Sequence, residues 1–148
     1  MFFGIGSPNE RQGHKRYCSL ILFNAKFTDD DSEEICALPH LTRLDLLGRT
    51  TISDASLRHL TGLHSLESLN LQSAGPVTDD TLKYIADLRR LTDLNLSQTT
   101  LSDDGLVHLA GLRQLENLNL SQTKVSGEMS KLTVINEVDR MFASAETH

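Results

Sequence analysis

The 148-residue chain predicts an α/β solenoid of about five short turns, with parallel strands on a concave face and short helices on the convex one. Three observations carry this. The triplet Leu-x-x-Leu-x-Leu recurs at Leu41/Leu44/Leu46, Leu66/Leu69/Leu71, Leu91/Leu94/Leu96 and Leu115/Leu118/Leu120, with first leucines 25, 25 and 24 residues apart. Each interval carries an apolar residue, Ser or Thr, and Asp: Phe27-Thr28-Asp29, Ile52-Ser53-Asp54, Val77-Thr78-Asp79 and Leu101-Ser102-Asp103. Apolar residues then follow at helical spacing, as in Leu57, Leu60 and Leu63. A fixed period of this length marks a repeat that cannot bury its apolar face alone and must stack on copies of itself.

Taken in chain order, residues 1–16 mix Gly, Pro, Asn and Gln with basic residues and read as a flexible arm, although Phe2, Phe3 and Ile5 are apolar enough to cover the first turn. One period before Leu41 lies Tyr17-x-x-Leu20-x-Leu22, which opens the first turn. The turns are then 17–40, 41–65, 66–90, 91–114 and a partial 115–125. In each, the x-Leu-x-Leu-x run has period 2, so its leucines share one side of a strand. The Ser/Thr-Asp step is a helix start, where Ser53, Thr78 or Ser102 can cap free backbone N–H groups and the next Asp meets the positive helix end. Ser32 stands where Leu57, Leu82 and Leu106 stand, so the first turn is expected to pack less well. After Val125 the repeat lapses. Met129, Leu132, Ile135 and Val138 recur at helical spacing, and 126–148 reads as a capping helix and tail.

The repeat resembles the leucine-rich-repeat family, whose signature is Leu-x-x-Leu-x-Leu-x-x-Asn/Cys-x-Leu. It is similar to the bacterial subtype with a Thr/Ser-Asp-x-Gly-Leu step, intact here as Ser102-Asp103-Asp104-Gly105-Leu106, and through it to the repeats of F-box/leucine-rich-repeat proteins. The resemblance spans 17–125 and implies a protein-interaction scaffold rather than a catalyst. At the Asn/Cys position the chain departs from the signature, with Ala25, Arg49, Ala74, Thr99 and Thr123. The two 25-residue turns carry an extra loop residue near Arg49-Thr50-Thr51 and Ser73-Ala74-Gly75-Pro76.

Composition excludes several classes. Net charge is −6, against the basic excess of a general nucleic-acid binder. No apolar run approaches the ~18–20 residues of a membrane span, and the amino end lacks the marks of a secretory leader, so the expectation is a cytoplasmic protein without a membrane partner. Cys18 and Cys36 fit no metal spacing. No phosphate loop, nucleophile elbow or metalloprotease motif occurs, so no catalytic residue, cofactor or metal ligand is assigned. His59 and His108 share a register, but the turn between them has Tyr84 there, and they read as solvated helix residues.

Function is therefore expected on the strand face. Its outward residues group turn by turn, and those taken as the binding set are Ile21 and Phe23; Arg43, Asp45 and Leu47; Asn70 and Gln72; Asp93 and Asn95; and Asn119. The last three turns are small and polar, and Asn70, Asn95 and Asn119 hold one register, which suggests a hydrogen-bonded ladder along the sheet. Ile21, Phe23 and Leu47 beside Arg43 form an apolar-plus-Arg cluster of hot-spot type. Ten carboxylates gather at the helix starts, read first as capping and second as a strip for a basic partner. The leading expectation is a non-enzymatic module that binds a protein or peptide. The rivals are the substrate-recognition part of a ubiquitin-ligase or effector-type protein, of which the chain would be a fragment, and a structural repeat protein that self-associates weakly.

Overall fold

The computed structural model describes residues 4–5, 19–38 and 40–126. The expected arm 1–16, apart from Gly4–Ile5, and the expected capping segment, apart from Ser126, lie outside them, as do Tyr17 and Cys18.

Ten elements are described, the last nine following the repeat: β1 (Gly4–Ile5), β2 (Ser19–Phe23), α1 (Asp29–Cys36), β3 (Arg43–Leu47), α2 (Asp54–His59), β4 (Ser68–Asn70), α3 (Leu82–Ile85), β5 (Asp93–Asn95), α4 (Asp103–Leu106) and β6 (Asn117–Asn119). Tight 3₁₀ segments at Leu60–Gly62, Asp79–Thr81 and Val107–Gly111 complete the helical side. The sheet order is β1-β2-β3-β4-β5-β6, with β2 to β6 parallel and β1 pairing antiparallel with β2. Register is fixed by the leucines: Leu20, Leu44, Leu69, Leu94 and Leu118 stand side by side across the sheet. The architecture is the α/β leucine-rich-repeat solenoid.

The triplet leucines and the helical Leu57, Leu60, Leu82, Ile85, Leu106 and Leu109 make one continuous core between sheet and helices. Each turn seals only against its neighbours, as stacking requires. The first turn is looser. Ser32 is fully buried in the leucine position, with its hydroxyl satisfied by Asp29 O and His59 Nδ1, and a recess of about 60 Å³ opens among Leu20, Leu22, Ala25 and Ile35.

Two local features explain departures from the signature. The strand-ending loops place Asn24, Gly48, Ser73, Gln98 and Gln122 in the left-handed region, at φ of 51, 73, 54, 60 and 59°. Polar residues manage this region at modest cost. Gly48 stands apart, because a Cβ there would fall on the Asn24 amide that accepts the Arg49 N–H. In the same turn the extra residue moves the buried loop position one place along. Thr50, not Arg49, is fully buried and donates its hydroxyl to Leu47 O at 2.7 Å, as Thr99 does to Leu96 O and Thr123 to Leu120 O. Counting from Leu41 alone assigns Arg49 to that position, and the structure corrects it.

Candidate binding surface

Alternation along each strand puts the expected binding residues on the face away from the core, but at different depths. On β2, Phe23 is 60% exposed and Ile21 37%. They are two of the three exposed large hydrophobics among the described residues; the third, Val107, belongs to the helical side. Leu47, the register partner of Phe23, is half-buried. Arg43 is exposed and donates Nε and Nη2 to Asp45 Oδ2 at 3.0 and 2.9 Å. Asp45 lies on this face, yet its side chain is only 3% exposed. A short carboxylate between Ile21 and Asn70 in register, with the Arg43 head drawn onto it, is covered where a longer side chain would reach out.

Beyond Arg43 the face becomes a polar groove of about 310 Å³ that crosses Asn70, Asp93, Asn95 and Asn119. The asparagines do not form a ladder. Each Oδ1 accepts a backbone N–H two residues on, from Gln72 at 3.1 Å, Ser97 at 3.0 Å and Ser121 at 3.0 Å. That local bond closes within one turn, whereas the neighbouring strand lies ~4.8 Å away. Gln72 is half-buried beyond β4. Asp93 is held by both oxygens, from Asn117 Nδ2 and Thr92 Oγ1, each at 2.7 Å.

The acidic row at the helix starts has a structural occupation that spacing alone could not show: a carboxylate of one turn staples the start of the next. Asp29 Oδ1 accepts from Ser53 Oγ at 2.7 Å and Ser56 Oγ at 2.6 Å. Asp79 accepts the Ser102 N–H at 2.9 Å and hydroxyl at 2.6 Å, and Asp103 accepts the Ser126 N–H at 2.8 Å. Among the described residues Asp54 makes no such bond. Ser53 caps its own helix through the Ser56 N–H, as expected. Ser102 makes no such cap, and both its N–H and its hydroxyl are donated to Asp79. At Thr78 the start is secured by Thr81 Oγ1, which accepts the Thr78 N–H. Asp79 also leans over Gly105, where a Cβ would lie 3.1 Å from Asp79 Cα, so a glycine suits the Ser-Asp-x-Gly-Leu step there.

These bonds hold two carboxyls below their ordinary value: Asp29 through Ser56 and Ser53, and Asp31 through the Thr28 side chain and backbone. A depressed folded value stabilises the charged form, so the contribution is complete above the ordinary carboxylate value of 3.8 and fades as pH falls through the lower folded values. Acid titration is expected to release the first two turns before the last two. Residue-resolved amide exchange from pH 5 to pH 2.5 checks this, and uniform loss of protection would contradict it.

His59 Nδ1 lies 3.2 Å from Ser32 Oγ and 3.8 Å from Glu33 Oε1. Ser32 is fully buried and also donates to Asp29 O, so the trio presents no accessible nucleophile. Burial and the Glu33 charge push the Cys36 thiol up, away from the reactive thiolate. Among the described residues no three His, Cys, Asp or Glu side chains converge as a metal site would require, and no helix is long and apolar enough to cross a membrane.

No family model matches the chain, and no curated protein matches it. Among solved structures it is similar to an internalin (inlF) from Listeria monocytogenes, at 22% identity and a TM-score of 0.46, over 60% of this chain and 31% of that one. It is also similar to internalin C2 (inlC2) from the same organism, at 19% identity and a TM-score of 0.47, over 74% of this chain and 64% of that one. The chain thus spans less than two thirds of either.

Proposed function

We propose that this chain is a non-enzymatic module that binds a protein or peptide along its strand face, anchored by Ile21 and Phe23 and bordered by Arg43 and Leu47. The observation that carries this is the placement of two exposed large apolar side chains on one strand, at the head of a polar groove. A small-molecule pocket is enclosed and mostly apolar. This groove is open and lined mainly by asparagine amides with one carboxylate, Asp93, which suits an extended polypeptide.

A standard interface engages ~20–30 residues a side, more than the strand face presents. The left-handed loop residues Asn24, Ser73, Gln98 and Gln122 form a second row beside the strand ends and extend the footprint.

Panning the full 148-residue chain against a displayed library of random peptides tests the reading. Binders should lose roughly 30-fold in affinity on Phe23→Ala, the scale of a hot-spot truncation, while the melting temperature of this exposed-site variant stays unchanged. Binders indifferent to Phe23→Ala would remove the anchor from the assignment. Light scattering at rising concentration addresses the rival: a mass that doubles through Phe23 would make a second copy of the chain the occupant.

A further inference from the structure

Asp45 Oδ1 is fully buried and has no hydrogen-bond partner, while both Arg43 donors converge on its twin Oδ2. It is the one such side-chain atom among the described residues. Buried polar atoms without partners are rare in folded proteins and call for a physical reason. The guanidinium therefore balances the charge of Asp45 but fills only one of its oxygens. The register partners of Asp45 are Ile21 on one side and Asn70 on the other, so the empty acceptor stands between the exposed apolar pair and the head of the polar groove.

We propose that the docked polypeptide donates a main-chain N–H to Asp45 Oδ1, beside an apolar side chain seated on Ile21 and Phe23. The inference rests on the strand-face reading above and deepens it. A neutral donor is favoured over a lysine or arginine of the partner for an electrostatic reason. Arg43 already balances the carboxylate, and a second cation buried there would meet a like charge. The asparagines complete the match. With their Oδ1 atoms committed to Gln72, Ser97 and Ser121, the Nδ2 groups of Asn70, Asn95 and Asn119 are the donors left for a ligand's carbonyls. An acceptor at one end and donors along the rest fit a chain that carries N–H and C=O in alternation. Because Oδ1 is covered in the free protein, the donor enters with a shift of the exposed neighbours Ile21 and Arg43. Once it is docked, a ligand lacking that N–H leaves a buried acceptor empty, and this is the source of discrimination.

The probe is the tightest peptide from the panning described above, resynthesised with single amide-to-ester replacements that delete one N–H at a time. One ester is expected to bind the wild-type chain roughly 5- to 100-fold more weakly and to bind Asp45→Ala no worse than the parent peptide does. Should Asp45→Ala fail to fold, the ¹³C shift of the Asp45 carboxyl in the wild-type chain, moved by the parent peptide and not by that ester, gives the same answer. If no ester weakens binding, or the sensitivity persists in Asp45→Ala, the inference is overturned while the strand-face reading stands. If a Lys or Arg side chain of the peptide carries the Asp45-dependent effect instead, the main-chain assignment is overturned. If the library yields no binder, the strand-face reading itself fails, and the inference with it.

Discussion

Arg43→Ala is expected to lower stability by about 1–3 kcal/mol, the cost of leaving a buried polar partner unsatisfied, even though Arg43 itself is largely exposed. An exposed arginine ordinarily contributes little. Here its two donors neutralise and hydrogen-bond a carboxylate that is 3% exposed. Removing them strands the charge on Asp45 between its register partners Ile21 and Asn70. Replacing both members by apolar residues of similar size, Arg43→Met with Asp45→Leu, should recover the loss or exceed the wild type, because a buried ion pair is seldom better than good packing. Urea unfolding of the three chains checks this. A single variant as stable as the wild type would mean that water reaches Asp45 freely. Binding assays should accordingly use Phe23 as the diagnostic position, since changes at Arg43 disturb fold and surface together.

Leu69→Ala should be the most damaging single truncation in the middle of the array, at about 2–5 kcal/mol. Leu69 is 1% exposed and stands in register with Leu44 and Leu94, so its cavity opens toward both neighbours. In a solenoid each turn is supported mainly by the adjacent ones. The damage should therefore divide the chain, with amide protection falling most around β3 to β5 and least around Leu118. A loss under 1 kcal/mol, or an even loss of protection everywhere, would contradict nearest-neighbour stacking.

The leucine period and the Ser/Thr-Asp step placed β2 to β6, the helical side and the core, because burial is what those residues achieve at that spacing, whereas β1, antiparallel to β2 in the segment read as an arm, carries no repeat signal. The strand face was legible in sidedness but not in depth. Alternation assigns Asp45 to the same side as Phe23, yet whether a side chain emerges depends on its length and on what lies across the sheet, and neither is local. The asparagine register was legible, whereas the direction of its hydrogen bonds was not, since a bond within one turn competes with one between strands. The use of Ser102 was hidden because the carboxylate that accepts its hydroxyl comes from the preceding turn, 23 residues away. Arg49 and Thr50 exchanged places because one inserted residue shifts a count without shifting the space it counts. The left-handed row left only Gly48 as a visible sign, the other positions being filled by Asn, Ser and Gln.

The staples at the helix starts join the first turn to the second, the third to the fourth and the fourth to the fifth, and the joint at Asp54 has none. Seen as a beam, the molecule is riveted along its back at every seam but one among the described turns. That seam lies directly behind the line where β3 meets β4, which is where Arg43 and Asn70 form the mouth of the groove. At that seam the turns are joined by main-chain bonds instead, from the Glu67 and Ser68 N–H groups to Thr42 O and from the Gly75 N–H to Thr50 O, so the joint behind the groove's mouth rests on backbone where the others add a side-chain rivet.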